Sequence, residues 1–206
     1  MVDFQSRDTR RGRSDDEAET RTGDERDEQS NGSSSDPATA KPDEQPRSVE
    51  TGVFVLRIGD GADEMAADPV AVVIDALDGD GRTVAGQDTV ESGFDAVQTA
   101  IDRVVSRRDV DVVLTVGGTG VGPSDATVEA IEPLWEKAMP GFGELFRVSY
   151  HEQVGPEVIS MRPTAGIIDD VPVFCVPGEA DAARFTVSEI VLETLDGLLE
   201  DVADPS

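Results

Sequence analysis

The run Asp111-Val112-Val113-Leu114-Thr115-Val116, broken by Gly117-Gly118-Thr119-Gly120-Val121-Gly122-Pro123-Ser124-Asp125, constrains the fold more than any other stretch. Five consecutive residues without a charge predict a strand buried on both faces, the habit of parallel sheets. The glycines then predict a tight turn, and Val128, Ile131 and Trp135 predict a helix after it, with Asp125 at the capping position. A strand, a glycine-rich turn and a helix start expose backbone N–H groups together, and such an arrangement can hold an anion such as phosphate. The turn is not a Walker loop, because no Gly-Lys-Ser/Thr closes it, and it is not GxGxxG. A turn that merely packs strand against helix is the plainer alternative.

Flanking segments repeat the strand–helix alternation. Gly52 to Ile58 is an apolar run interrupted only by Arg57 and ended by Gly59-Asp60-Gly61, and Val70, Val73, Ile74 and Leu77 share one helical face. Pro69 suits the first turn of that helix and Asp68 its cap. Thr83 to Val90 predicts a second strand. Ser92 and Asp95 have capping-box spacing before Phe94, Val97, Ile101, Val104 and Val105. Beyond the central strand, Gly143 to Gln153 predicts a helix, with Leu145, Phe146 and Val148 as its apolar residues. Ala165–Ile168 and Val171–Val176 predict two strands joined by Asp169-Asp170, and Ala183, Val187, Ile190, Val191 and Leu198 a final helix. The expected fold class is a three-layer α/β/α domain around a mainly parallel sheet with a small hairpin.

Composition sets the boundaries. Residues 1–48 hold almost no apolar side chains and predict a disordered acidic and polar tail, leaving 49–206 as one folded domain. The net charge is −27: residues 1–50 hold 8 basic and 14 acidic residues, and residues 51–206 hold 9 and 30. Acids scattered over every predicted helix and loop suit a protein from a salt-rich, halophilic cytoplasm, where molar salt cuts the Debye length to about 3 Å. With no basic stripe, a nucleic-acid partner is not expected, and with no long apolar run neither is a membrane. Cys175, the single cysteine, lies in an apolar run and reads as a small buried hydrophobe. His151, the single histidine, reads as a surface or oligomer-contact residue.

Ligands of open parallel sheets sit beyond the carboxyl ends of the strands, which gathers the loops 59–68, 117–125 and 177–181. Asp125 and Asp60 are candidate Mg²⁺ ligands there, with nucleotide phosphates completing the coordination shell.

Four segments together carry a resemblance: Val116-Gly117-Gly118-Thr119-Gly120 with Asp125, Pro140-Gly141-Phe142-Gly143-Glu144-Leu145-Phe146-Arg147, Arg162-Pro163-Thr164-Ala165-Gly166-Ile167, and Phe174-Cys175-Val176-Pro177-Gly178. They resemble the MogA/MoaB molybdopterin-binding family of molybdenum cofactor biosynthesis. The resemblance implies a homotrimer or hexamer that transfers AMP from ATP to the terminal phosphate of molybdopterin, with Mg²⁺, ahead of molybdate or tungstate insertion. It also allows contact with cofactor-assembly proteins. On the same basis Gly117, Gly118, Thr119, Gly120, Ser124, Pro177 and Gly178 are expected to hold the substrate, Asp125 to be the catalytic acid, and Asp125 with Asp60 to hold the metal.

Several positions depart from the family pattern. Arg57-Ile58-Gly59-Asp60 replaces Ser-Asp, and Asp68-Pro69-Val70-Ala71 lacks the usual hydroxyl and glycine. Ser92, next to Glu91, stands where a second acid belongs, Ser124 stands for Arg, and Glu179-Ala180 follows Pro177-Gly178. These changes favour, as the alternative, a non-catalytic molybdopterin-binding or scaffold protein on the same fold. A third reading, a nucleotide hydrolase like the related domain of competence-damage-inducible proteins, rests on Gly120 to Asp125 and is weakened by Ala126.

Overall fold

The computed structural model describes residues 51–59 and 66–204. The expected tail of residues 1–48, and Asp60, lie outside the described residues. The elements are β1 (Gly52–Ile58), α1 (Pro69–Gly79), β2 (Thr83–Val90), α2 (Phe94–Val105), β3 (Val112–Val116), α3 (Thr127–Ile131), β4 (Lys137–Ala138), α4 (Pro140–Val154), β5 (Thr164–Ile168), β6 (Val171–Val176), α5 (Ala180–Thr186) and α6 (Leu192–Ala203).

The six strands form one sheet in the order β2-β1-β3-β6-β5-β4. β2, β1, β3 and β6 run parallel, and the β5–β6 hairpin with short β4 adds an antiparallel edge. The fold class is therefore the expected α/β one. The hairpin turn is Asp169-Asp170, both with positive φ (49° and 60°), the geometry that matches the twist of two-residue hairpins.

Alternation along the buried strands divides the core into two faces. Val53, Val55, Leu114, Val116 and Phe174 pack under α1, α4, α5 and α6. Phe54, Leu56, Val113, Val173 and Cys175 pack under α2 and α3. Leu77, Ile101, Leu114 and Phe146 are fully buried, each worth about 1.5–3 kcal/mol of transfer free energy. Cys175 is buried as expected, and burial pushes its thiol up to about 12.

The chain leaves β1 toward α1 on one face and β3 toward α3 on the other. Between those neighbouring strand ends the connections diverge and leave a crevice, a topological switch point.

Asp68 caps α1 as expected, accepting from the Val70 amide at 3.0 Å with Pro69 in the first turn. Other local expectations are corrected. Asp125 does not cap α3: Ala126 stands at that position, and α3 ends at Ile131, passing into a 3₁₀ turn (Glu132–Leu134) before Trp135. Ser92 and Asp95 form no capping box. Gly93 is the cap residue of α2, and the Ser92 hydroxyl instead donates to the Ser124 carbonyl. Phe94 is exposed, not on the packed face of α2. α4 starts at Pro140, three residues earlier than the apolar pattern predicts, and of its apolar residues Phe146 is buried while Leu145 and Val148 are exposed. α5 and α6 form one helical run through a π turn (Val187–Val191).

Candidate active site at the carboxyl end of the sheet

The β3 carboxyl end turns through Gly117 and Gly118, whose φ values of 106° and 67° suit glycine and strain other residues. The loop is then fixed from beneath. The Thr127 amide donates to the Gly118 carbonyl at 3.0 Å, and the fully buried Thr127 hydroxyl donates to the Gly117 carbonyl at 2.9 Å. Gly122 to Asp125 closes as a turn, the Asp125 amide donating to the Gly122 carbonyl at 3.1 Å, with Pro123 in the position turns favour for it.

The Asp125 carboxylate folds back over this loop. Its Oδ2 accepts from the Gly122 amide at 2.8 Å, and a Cβ on Gly120 would stand 2.5 Å from the same oxygen. Only a glycine at 120 leaves that space to the carboxylate.

Arg162 holds the loop from the other side. Its amide donates to the Thr119 carbonyl at 3.0 Å and its Nε to the Gly120 carbonyl at 2.8 Å. Its two terminal nitrogens fork onto both carboxylate oxygens of Glu129 in α3. The hydrogen bond to Arg162 holds the Glu129 carboxyl below its ordinary value, and Glu129 in turn raises Arg162.

With those carbonyls engaged, the amides of Gly118, Thr119, Gly120 and Val121 donate to no protein acceptor among the described residues. Two hollows open on the loop. The first, about 410 Å³, is lined by the loop from Gly118 to Gly122 with Asp125, by Ser160 and Met161, and by Gly178 and Glu179. The second, about 430 Å³, is lined by Ile58, Gly59, Glu91, Ser92, Gly118, Ser124 and Asp125. Gly118 and Asp125 belong to both. Hollows therefore flank the turn on either side.

The expected site residues distribute unevenly. Gly118, Thr119, Gly120, Gly178 and Asp125 line the first hollow, and Ser124 lines the second. Gly117 and Pro177 are buried and line neither, although a Cβ on Gly178 would stand 3.2 Å from the Gly117 Cα, so the loops after β3 and β6 touch. Asp125 and Glu91 share the second hollow. Among the described residues no group of three or more His, Cys, Asp or Glu side chains converges as a metal site. His151 is exposed on α4 and lines neither hollow.

Sequence reasoning assigned no role to Ser160, Met161, Arg162, Thr127 or Glu129. The missed signal lies in the hairpin: β5 runs antiparallel to β6, with Thr164 level with Cys175. The residues just before β5 therefore arrive at the same edge as the parallel strands' carboxyl ends.

Comparison with known proteins gives this geometry a family. Residues 64–197 match the family model described as a probable molybdopterin binding domain. The chain belongs to the MogA/MoaB molybdenum cofactor biosynthesis family. It is 35% identical over 132 residues to molybdenum cofactor biosynthesis protein B of Bacillus subtilis, covering 64% of this chain and 78% of the relative. A crystal structure of a molybdenum cofactor biosynthesis protein B superposes with a TM-score of 0.69 at 32% identity, covering 74% of this chain and 96% of the other. The tungsten cofactor synthesizing protein MoaB of Pyrococcus furiosus superposes with a TM-score of 0.66 at 30% identity, covering 75% and 99%. Among the described residues of this MogA/MoaB member, no helix is long and apolar enough to cross a membrane.

Proposed function

We propose that this MogA/MoaB member is a molybdopterin adenylyltransferase serving molybdenum or tungsten cofactor synthesis. The reading rests on one observation: two hollows meet at a shared carboxylate and glycine, and a row of undonated amides lines one of them. Joining two phosphate-bearing substrates needs their phosphates held side by side, which adjacent pockets with a common wall allow. A terminal phosphate oxygen of molybdopterin attacks the α-phosphorus of ATP, the new O–P bond forms, the α–β phosphoanhydride breaks, and pyrophosphate leaves.

No side-chain nucleophile is needed, so the protein's work is placement and charge compensation. The amides of Gly118, Thr119, Gly120 and Val121 supply fixed dipoles to phosphoryl oxygens. Asp125 and Glu91, two carboxylates on one hollow, fit the habit of Mg²⁺, which takes one or two protein carboxylates and completes its shell with phosphate and water. When bound, Mg²⁺ offsets charge on the phosphates; Asp60 is a further candidate ligand. The remaining expectations, a homotrimer or hexamer working with cofactor-assembly proteins in the cytoplasm, belong to the same proposal.

A second reading has one specific observation in its favour. Glu179 lines the amide-rich hollow, so a carboxylate faces the place where a phosphate is to bind. On that reading the protein binds or carries molybdopterin without adenylylating it.

The test is incubation of the protein with molybdopterin, ATP and Mg²⁺ in molar KCl, followed by mass spectrometry for adenylylated pterin and an assay for pyrophosphate. Both products from the parent, and neither from Asp125→Asn, are the expected result. Pterin binding by calorimetry with no product overturns the enzyme in favour of the carrier, and binding of neither substrate overturns both.

A further inference from the structure

The geometry points to Arg162 as the positioning residue that aims the loop's amides. In a trans peptide the C=O of one residue and the N–H of the next point in opposite directions across one rigid plane. Arg162 holds the Thr119 carbonyl through its backbone amide and the Gly120 carbonyl through Nε. The N–H groups sharing those two planes are those of Gly120 and Val121, and both must point away from Arg162. Both residues line the first hollow, whereas Arg162 does not. One residue therefore turns two consecutive peptide planes, its backbone amide the Thr119–Gly120 plane and its Nε the Gly120–Val121 plane, so that their donors face the open side before any ligand arrives. Donors fixed in advance need no reorganisation when an anion binds, which makes them effective partners for charge.

Glu129 completes the device. A guanidinium is planar, and its terminal nitrogens fork onto the Glu129 carboxylate while Nε remains for Gly120. The ion pair is partly exposed, with side-chain exposures of 31% and 52%, so its contribution to overall stability is small. Its consequence is orientational: α3 sets the angle of the guanidinium plane, and that plane sets the Gly120 carbonyl. A lysine at 162 keeps the charge and loses the fork. The role also explains how a loop tip as glycine-rich as Gly120-Val121-Gly122 can hold one conformation.

This inference deepens the proposed function, since it concerns the same anion-holding loop, and the test separates the two. Inorganic pyrophosphate is titrated into the parent, Arg162→Lys, Arg162→Gln and Glu129→Gln in molar KCl. Calorimetry reads affinity, and nitrogen–proton spectra read the amide shifts and nitrogen relaxation of Gly120 and Val121. Both Arg162 variants are expected to fold, to bind pyrophosphate at least tenfold more weakly, and to shift and mobilise the Val121 amide, while the Gly120 amide, whose plane the backbone of residue 162 still holds, moves less; Glu129→Gln is expected to move the same readouts less. A purely structural role would lower the thermal midpoint and leave affinity and the Val121 amide unmoved, and that outcome overturns the inference. If the parent binds no pyrophosphate, the phosphate reading of the loop fails instead. The Val121 amide then decides Arg162 by itself, since an unchanged shift and relaxation in Arg162→Gln rejects the clamp and added mobility upholds it. Should Arg162→Gln not fold, Arg162→Lys carries the same comparison.

Discussion

Replacing Thr127 by valine removes one hydroxyl and almost no volume. The lost bond is the 2.9 Å donation to the Gly117 carbonyl, made by a side chain that is fully buried. Among the described residues that carbonyl has no second donor, so the variant leaves a buried acceptor unpaired. A neutral hydrogen bond contributes about 0.5–1.5 kcal/mol net, and leaving its buried partner unsatisfied raises the cost to about 1–3 kcal/mol. For a folded domain of this size each kcal/mol moves the thermal midpoint by about 2–4 °C, so a fall of roughly 2–12 °C is expected. Thermal unfolding by circular dichroism in molar KCl measures it. Thr127→Ser keeps the hydroxyl and loses a methyl group, so it should lose stability too, yet retain parent-like amide signals from Gly118 to Val121. The valine variant should lose those signals. A Thr127→Val protein that unfolds within about 1 °C of the parent, its loop signals in place, would refute the claim that this hydroxyl anchors the glycine turn.

Three further outcomes follow from the charges. Glu179→Gln removes a carboxylate from the lining of the first hollow, so pyrophosphate affinity measured by calorimetry should rise severalfold; equal or weaker binding would mean that Glu179 faces no anion there. With a net charge of −27, lowering KCl from about 1 M to 0.1 M lengthens the Debye length from about 3 to 10 Å and should lower the thermal midpoint, whereas a midpoint indifferent to salt would contradict the self-repulsion argument. The hydrogen bond from Arg57 lowers the Asp68 carboxyl below 3.8, so this pair stabilises the fold above that pH and the contribution disappears as pH falls through the lowered value. In molar salt, acid titration from pH 5 to 2 should therefore destabilise the parent more steeply than Arg57→Gln, and parallel titration curves would remove the pair from the account.

Much of the architecture was legible in the chain. Apolar runs marked β1, β3 and β6, and the 3.6-residue spacing of Val70, Val73 and Leu77 marked the packed face of α1. Asp68 was readable as a cap because Pro69 follows it, and Asp169-Asp170 as a turn because two strand-like runs flank it. Failures came where a local signal competed with a distant partner. Asp125 has the residue type and spacing of a helix cap, but the loop folds so that its carboxylate reaches the Gly122 amide. Ser92 and Asp95 spell a capping box, yet the Ser92 hydroxyl reaches the Ser124 carbonyl, 32 residues away. Phe94 and Val148 share spacing with buried neighbours and stand exposed, because periodicity gives a face but not its width.

By itself, the sequence determined the strand–helix alternation, the glycine turn after β3, the burial of Cys175 and the surplus of acids, since each depends on side-chain chemistry at short range. Tertiary structure alone decided what stands around the turn. The antiparallel return of β5 carries Arg162 to the loop, the β2 end brings Glu91 within a shared hollow of Asp125, and the loop after β6 adds Glu179 to the lining of the hollow beside Gly118 to Gly122. The physical reason is the sheet itself: strand order and direction choose which chain segments meet at one edge, and no spacing within a single segment carries that information.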